Sequence, residues 1–332
     1  MKRWNQFWFS EIDPLPLGVC RICLGTLILI MYIVLLPNWA RFYAADGIMS
    51  LQSADLNALR TRDWWSVFEL TGDWLPIHFY WWIGALAAVF FLVGWQTRLA
   101  TIVLFVMEVS MIHRAPYVVN GEDLVFRMML LYACFAPCGH CLSVDSWLRH
   151  RRTSNRPSAT TISAWPVRLM QVNIALIYLI SLPYKISQDF DWATGDALHW
   201  TVASDLWWVR GFLPEITYGF GGLLRKLMTW GTVFVEGTFS LFVCFRRTRL
   251  MAVAAIASLH IGIAILVPNV TLFTLSMVAS VCVFLPPQFI RATAHRLPSL
   301  WNLHLTGACP FHRSANHAGV SRKVAKPQRG QG

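Results

Sequence analysis

Charged residues are scarce in this sequence. Only 14% of its 332 residues are Asp, Glu, Lys or Arg, whereas an ordinary soluble domain contains about 25%. The chain also lacks a Gly-rich phosphate loop after a strand, a heptad pattern and a repeat of fixed period. These absences argue against a soluble nucleotide-binding domain, a coiled coil and a solenoid.

A cleavable secretory signal and a disulfide framework are also missing. The amino-terminal segment carries Glu11 and Asp13, and no small-residue cleavage site follows its apolar stretch. Of the eight cysteines, Cys138, Cys141 and Cys309 fall on the predicted cytoplasmic side, where thiols stay reduced. The other five lie in apolar runs, so we predict no structural disulfide.

Long apolar runs dominate what is present, since 56% of the residues are hydrophobic. A membrane-spanning helix needs about 20 apolar residues. Eight stretches qualify: 17–36, 77–95, 99–113, 122–137, 165–183, 228–245, 250–267 and 270–286. The sequence therefore predicts an all-α integral membrane protein with about eight transmembrane helices in one bundle.

The segments between and after these runs have their own composition. Residues 37–76 and 184–227 mix Trp with polar residues, which is typical of helices at the headgroup level. We expect amphipathic interfacial helices there, on the outer side. Residues 291–332 are basic and rich in Gly and Ser, so we expect a membrane domain over 1–290 and a disordered cytoplasmic tail over 291–332.

The net charge of +11 is unevenly distributed along the chain. With residue 1 inside and eight spans, the inner segments hold 17 Lys and Arg residues and the outer segments hold 8. This positive-inside bias places both termini in the cytoplasm, and we expect a bacterial inner membrane. The distribution of basic residues reflects the membrane topology. We therefore expect membrane lipid as a partner and no nucleic acid.

Several ionisable side chains lie at predicted membrane depth, where each is costly and is a functional hypothesis by default. In the eight-span topology Asp123, Arg127 and Lys185 fall in the outer half, Glu108 and His260 close to it, and Glu236 near the middle. We expect these six groups to converge on one outward-opening pocket. The candidate catalytic residues are Lys185, His260 and Asp123; the supporting residues are Asn120, Glu122, Arg127, Glu236 and Glu108.

Each candidate also has a structural explanation. Asn120 and Asp123 have the spacing of a helix N-cap, while Asp123 and Arg127 are four apart and able to pair. Lys185 has Asp189 four residues later as a partner in an exposed turn. His260 is a candidate for a simple interhelical hydrogen bond.

The remaining charged residues have structural explanations as well. Glu236 and Glu108 are candidate structural partners of Arg127 or of backbone groups. Arg21 and Arg168 lie near the inner ends of spans, where we expect their long side chains to reach water.

Residues 138–141 read Cys-Gly-His-Cys, which is the spacing of a thiol–disulfide exchange motif. In such motifs the first cysteine lies at a helix N-terminus, which favours the thiolate. Here the motif follows the C-terminal end of a predicted helix, where the helix dipole opposes thiolate formation. We therefore expect no redox role, and no metal site is predicted anywhere in the chain.

An ordered set of motifs resembles the HTTM domain, the membrane domain shared with vitamin K-dependent γ-carboxylase. The resemblance covers about residues 5–290. Its motifs are DPLPLGVCRICLG (13–25), FYAADGIMS (42–50), GWQTRLAT (94–101), NGEDLVFRMML (120–130), FAPCGHCLSVDSW (135–147) and YKISQDFDWATGDALHW (184–200).

The resemblance implies a chemistry. The carboxylase uses a lysine to deprotonate a reduced quinone, which then reacts with oxygen to give a strong base and an epoxide product. Lys185 occupies the place of that lysine, and His260 falls where the family has a histidine. An apolar site suits such a base, because it favours the neutral amine. A reduced quinone is the implied cofactor.

Two departures from the carboxylase leave the substrate open. Where the vertebrate enzyme has Asn-Asn-His, this chain has Asn120-Gly121-Glu122-Asp123. The carboxylase also has a large lumenal portion that binds the protein substrate, and residues after 290 do not resemble it. We therefore predict a membrane-embedded enzyme that acts on a quinol or a lipophilic, membrane-delivered substrate. The alternative is a non-catalytic membrane partner that helps to mature or export a secreted peptide or protein.

Overall fold

A computed structural model describes residues 1–48, 65–70, 75–152, 161–204, 211, 214–215, 218 and 222–296. The structure is all-α and about 80% helical. In the described residues the β-structure is limited to one antiparallel pair, Glu11–Ile12 (β1) with Ile162–Ser163 (β2). The α-helices of these residues are α1 (Lys2–Phe9), α2 (Leu15–Leu35), α3 (Trp39–Tyr43), α4 (Val67–Leu70), α5 (Ile77–Val93), α6 (Thr97–Arg114), α7 (Gly121–Phe135), α8 (Val144–Arg152), α9 (Trp165–Ser187), α10 (Phe190–Thr194), α11 (Ala197–Ala203), α12 (Leu223–Phe242), α13 (Arg249–Leu266), α14 (Thr271–Val281) and α15 (Pro287–Arg296). Short 3₁₀ helices cover Leu36–Asn38, Pro268–Val270 and Cys282–Phe284.

Each of the eight predicted spans coincides with one long helix of the structure. Among the described residues, three helices are long and apolar enough to cross a membrane: Leu15–Tyr43, Trp165–Ser187 and Arg249–Leu266. A fourth crossing is possible through a pair of helices, Pro268–Phe284 and Pro287–Ala294, that bend by 108° at their junction. The count of eight crossings stays a prediction, because several of the other helices are short or carry charges.

The long helices pack mainly against their neighbours in sequence. α2, α5, α6 and α7 form one consecutive set, and α9, α12, α13 and α14 form another. α14 joins the two sets, since it also packs against α2 and α7. The packing follows from the sequence, because short connections between long helices favour antiparallel neighbours.

Many large apolar side chains lie on the surface of this bundle. Ile33, Trp82, Ile180, Phe234 and Met251 are all largely exposed on the long helices. In water such a continuous apolar exterior would be an aggregation surface, whereas lipid tails solvate it at no cost. The exposed side chains therefore support the integral membrane assignment independently of helix length.

Arg21 links several segments of the chain at one end of the bundle. We call this end the amino-terminal end, because residues 10–14 lie there. The Arg21 guanidinium donates hydrogen bonds to the carbonyl oxygens of Phe91 and Leu92 at the end of α5 and of Leu142 before α8. The side chain is only 1% exposed. The prediction that Arg21 reaches water was therefore wrong: five N–H donors on one planar group suit several converging carbonyls.

Asp145 caps α6 at the same end. Its carboxylate accepts hydrogen bonds from the backbone N–H groups of Gln96 and Thr97, both at 2.9 Å, and from the Thr97 hydroxyl at 2.6 Å. Gly94 ends α5 with φ of 73°, and a Cβ there would lie 2.4 Å from the Ser143 side chain. Two motifs that are about 40 residues apart in sequence therefore form one structural unit.

The segments outside the long helices match the sequence predictions only in part. α10 and α11 follow α9 directly, within the predicted outer segment 184–227. Much of the other outer segment, 37–76, lies outside the described residues. α15 continues to Arg296, so the first residues of the predicted disordered tail are helical. Residues 297–332 lie outside the described part of the chain.

Candidate functional site

Lys185 forms an ion pair inside the bundle. It lies two residues after Pro183 near the end of α9, and its ammonium group donates a hydrogen bond to the Glu236 carboxylate of α12. The ammonium nitrogen also lies 4.3 Å from the centre of the Trp192 ring in α10. Both side chains of the pair are largely buried, so the prediction that Lys185 pairs with Asp189 in an exposed turn was wrong.

His260 lies beside this pair. Its Nε2 and the Tyr178 hydroxyl are hydrogen-bonded at 2.8 Å, which joins α13 to α9. His260 is 4% exposed, and its Nδ1 has no hydrogen-bond partner among the described residues. A buried nitrogen without a partner requires an explanation, and a bound ligand would supply one.

Lys185, Glu236, Tyr178 and His260 form the group that we call the lysine cluster. All four line one cavity of about 430 Å³. The rest of its wall is mostly apolar and includes Phe273 of α14. The cluster therefore provides two adjacent pairs of proton donors and acceptors in mostly apolar surroundings.

A second, almost wholly apolar cleft of about 610 Å³ adjoins this cavity. The two share several lining residues, among them Trp192, Thr232 and Ile263. The cleft runs between α12 and α13, where Gly231 and Gly262 face open space. Together the two cavities offer a polar end with an apolar extension, which is the shape that an amphipathic lipophilic molecule requires.

Three predicted carboxylates of the other helix set and one neighbouring amide form a separate group, which we call the carboxyl cluster: Glu108, Glu122 and Asp123 with Asn120. The Glu108 and Asp123 carboxyl groups lie close enough to act on each other electrostatically. Asp123 Oδ2 also accepts the Asn120 backbone N–H at 2.7 Å, in a capping box that starts α7. The prediction of an N-cap is therefore confirmed.

Arg127 does not pair with Asp123. Among the ion pairs of the described residues none joins them, although the charge of Arg127 acts on Glu108. The spacing of four residues placed both side chains on one face of α7, but Glu108 and the cap hold Asp123 instead. The predicted intrahelical pair was wrong.

Phe273 separates the two clusters. Its ring lies 6.4 Å, centre to centre, from that of His260 on one side. On the other side a Cβ at Gly121 would lie 2.6 Å from the same ring, so α7 can approach only because residue 121 is glycine. The structure thus brings Lys185, Glu236 and His260 together in one cavity and leaves the carboxyl cluster behind Phe273.

Two residues of the site were missing from the sequence prediction. Tyr178 was overlooked, although a tyrosine inside a span needs a partner for its hydroxyl group. Trp192 lies within the quoted motif at 184–200, but the sequence prediction assigned it no role at the site. A search for tyrosines within spans would have found the first residue, whereas the Lys185–Trp192 contact depends on the path of α10.

The Cys-Gly-His-Cys segment has the properties of a buried structural loop. Cys138 and Cys141 are both buried and free of disulfides. Burial raises the pKa of the Cys138 thiol to about 12, so almost none of it is the reactive thiolate near neutral pH. The expectation that the segment has no redox role stays a prediction.

The apolar exterior and the helices long enough to cross a bilayer indicate a helical integral membrane protein, and ionisable residues lie inside its bundle. The HTTM domain family model matches residues 9–289. The chain therefore belongs to the HTTM domain family, whose domain is associated with vitamin K-dependent carboxylase-like membrane proteins. No curated protein and no solved structure matches the chain.

Proposed function

We propose that the protein is a membrane enzyme of the γ-carboxylase-like type that takes a proton from a lipophilic quinol with Lys185. The observation that carries this proposal is the shared cavity: the Lys185–Glu236 pair and the Tyr178–His260 pair line it together. An apolar cleft continues from its wall. Acid–base groups next to an apolar channel are what such a reaction needs.

Glu236 is the residue that prepares Lys185 to act. A lysine that holds its proton in an ion pair has no free electron pair for proton abstraction. When the proton passes from the Lys185 ammonium to the Glu236 carboxylate, both charges disappear and a neutral amine remains. A site with little water favours this step, because separated charges are expensive there. The amine is then able to accept a proton from substrate.

His260 is proposed as a second acid–base group. Its hydrogen bond to Tyr178 fixes the imidazole ring, and its Nδ1 is left for another contact. In this proposal Asp123, Asn120 and the rest of the carboxyl cluster do not touch substrate. They hold the start of α7 against Phe273 and so support one wall of the cavity.

The residues present fit a reduced quinone. Lys185 and His260 would hold the hydroxyl groups of its ring, and the cleft between α12 and α13 would hold its apolar tail. A quinol bound there would supply an acidic hydroxyl proton and reducing equivalents. The buried Nδ1 of His260 supports this fit, because it lacks a partner within the described part of the chain.

The topology belongs to the same proposal. Eight helices cross the membrane, with both termini in the cytoplasm of a bacterium, and the lysine cluster lies toward the outer face. The uneven distribution of Lys and Arg supports this orientation. The charges that prevent α6 and α12 from counting as simple apolar spans include Glu108 and Glu236, which are members of the two clusters.

The proposal is tested by incubating the purified protein in lipid nanodiscs with a long-chain quinol under air. Quinol consumption is followed by the absorbance of the oxidised product. We expect consumption above that of protein-free nanodiscs, and we expect it to saturate with quinol concentration. If every quinol tried is consumed at the protein-free rate, the catalytic proposal fails.

Filling the apolar cleft is expected to affect long substrates selectively. Gly262 lines the cleft, and a Cβ added there meets no neighbouring atom within 4 Å, so we expect the ring of Gly262→Phe to project into the cleft. We expect KM for a long-chain quinol to rise about tenfold, since a few methylenes lose their burial at ~0.8 kcal/mol each. KM for a short-chain quinol should be unchanged.

The matched control for this variant is Leu179→Phe, which adds an aromatic ring at an exposed position of α9. It should leave both KM values as they are. Equal effects of Gly262→Phe on short and long quinols would mean that the cleft does not hold the tail.

The alternative, a non-catalytic partner for the maturation or export of a secreted peptide, predicts a different outcome. The lysine cluster would then bind a peptide and no quinol would be consumed. The nearly apolar lining of the cleft favours the lipophilic substrate, because peptide backbones need polar partners that such a wall does not provide.

A further inference from the structure

A pocket of about 450 Å³ lies at the amino-terminal end of the bundle, at the opposite end of α9 from Lys185. Three parts of the chain meet there. The β1–β2 pair brings residues 12 and 13 next to the start of α9, and the turn between α12 and α13 adds Arg246 and Arg249. The 108° bend at residues 285–287 forms the remaining wall.

Three arginines converge on this pocket. Arg168, Arg246 and Arg249 all line it, and the charges of the other two act on Arg168 at close range. Arg168 donates to Gln171 Oε1 at 2.8 Å and lies over the Phe7 ring, but its buried Nε has no hydrogen-bond partner among the described residues. The expectation that Arg168 simply reaches water was therefore incomplete.

The acidic side chain that lines this pocket already has partners of its own. Asp13 is the acid among the residues that line the pocket. Its Oδ2 accepts a hydrogen bond from Arg291, and its Oδ1 accepts the Leu15 backbone N–H at 2.9 Å. Arg249 Nε donates to the Val243 carbonyl at 3.0 Å. Among the ion pairs of the described residues none involves Arg168, Arg246 or Arg249, and their like charges repel one another unless an anion binds between them.

We propose that this pocket binds a phosphate group. Guanidinium groups present parallel N–H donors that match the oxygens of a phosphate, and converging arginines are the usual way proteins hold one. The group belongs either to the headgroup of an anionic phospholipid or to a soluble phosphate. Apolar residues such as Leu17, Val167 and Phe284 also line the pocket, which favours the lipid. This site is independent of the lysine cluster and of the proposed catalysis.

The test uses the full-length protein in detergent and measures binding by native mass spectrometry. One arm titrates short-chain phosphatidylglycerol, and the other titrates inorganic phosphate. The variants are R246Q and R168Q, and R247Q is the matched control. Arg246 and Arg247 are adjacent and both exposed, but only Arg246 lines the pocket. Because Arg246 is exposed, R246Q is expected to fold even if R168Q does not.

We expect the Kd for phosphatidylglycerol to rise about fivefold in R246Q and in R168Q, since one basic residue contributes ~1 kcal/mol to anionic lipid binding. R247Q should stay within about twofold of the parent. The same pattern in the phosphate arm, with no tighter binding of lipid, would support the site and identify a soluble phosphate as its source. Equal losses in R246Q and R247Q, or no loss in either arm, would overturn the proposal.

Discussion

Replacing Lys185 with alanine is expected to lower the rate of quinol consumption by about 10²–10⁴-fold, the range that a positioned general base contributes. The reason is that among the described residues Lys185 is the lysine that lines the cavity, and without it Glu236 would be left in a largely apolar wall. Initial rates at saturating quinol, measured in nanodiscs for variant and parent, test this expectation.

Two further variants test whether the loss of rate is specific to Lys185. Lys226→Ala removes a lysine from α12 that does not line the cavity, and it should retain the parental rate. Asp123→Ala removes the cap of α7 and should reduce the rate much less than Lys185→Ala, because Asp123 lies behind Phe273. If Lys185→Ala and the parent consume quinol equally fast, the lysine has no part in the chemistry.

Replacing Arg21 with methionine is expected to destabilise the protein by about 3 kcal/mol or more. The change would leave the carbonyl oxygens of Phe91, Leu92 and Leu142 without their donor. A buried acceptor left unpaired costs ~1–3 kcal/mol. Thermal unfolding in detergent, followed by circular dichroism, should show a Tm lowered by several degrees.

Arg98 provides the matched comparison for this variant. It lies at the same end of the bundle, in the first turn of α6, but its side chain is exposed. Arg98→Met should leave Tm nearly unchanged, since an exposed arginine contributes little to stability. Arg21→Lys is expected to fall between the two, because one ammonium group cannot reach three carbonyls as a planar guanidinium does. Equal Tm values for all three variants would contradict the role assigned to Arg21.

The helices of the bundle were readable from the sequence, whereas their rotations were not. Apolar runs of span length predicted every long helix, because a continuous apolar run leaves few alternatives to a helix in lipid. The same reasoning placed Lys185 in the outer half of the bundle, His260 close to it and Glu236 near the middle, on three separate helices. It could not show which side of each helix faces its neighbours, because a helix that is apolar on all sides gives no periodic signal.

The separation of the two clusters illustrates this limit. The ionisable candidates were expected to share one pocket, yet Phe273 lies between His260 and the start of α7. Phe273 looks like any other apolar residue of a span. Its position became meaningful only together with Gly121, whose missing side chain makes room for the ring.

Arg21 and Arg168 show a related difficulty. Arginines near the ends of spans usually extend toward water, and the sequence offered no reason to exclude these two. Arg21 instead meets carbonyl groups of residues 91, 92 and 142, and Arg168 meets arginines of a loop about 80 residues away. Such long-range contacts depend on the whole chain path, which no local pattern encodes.

The most direct measurement is a structure of the protein in lipid with a bound long-chain quinol. We expect its ring within hydrogen-bonding distance of Lys185 or His260 and its tail between α12 and α13, against Gly262. A quinol bound elsewhere, or a Lys185 side chain directed away from Glu236 toward the lipid, would contradict the account.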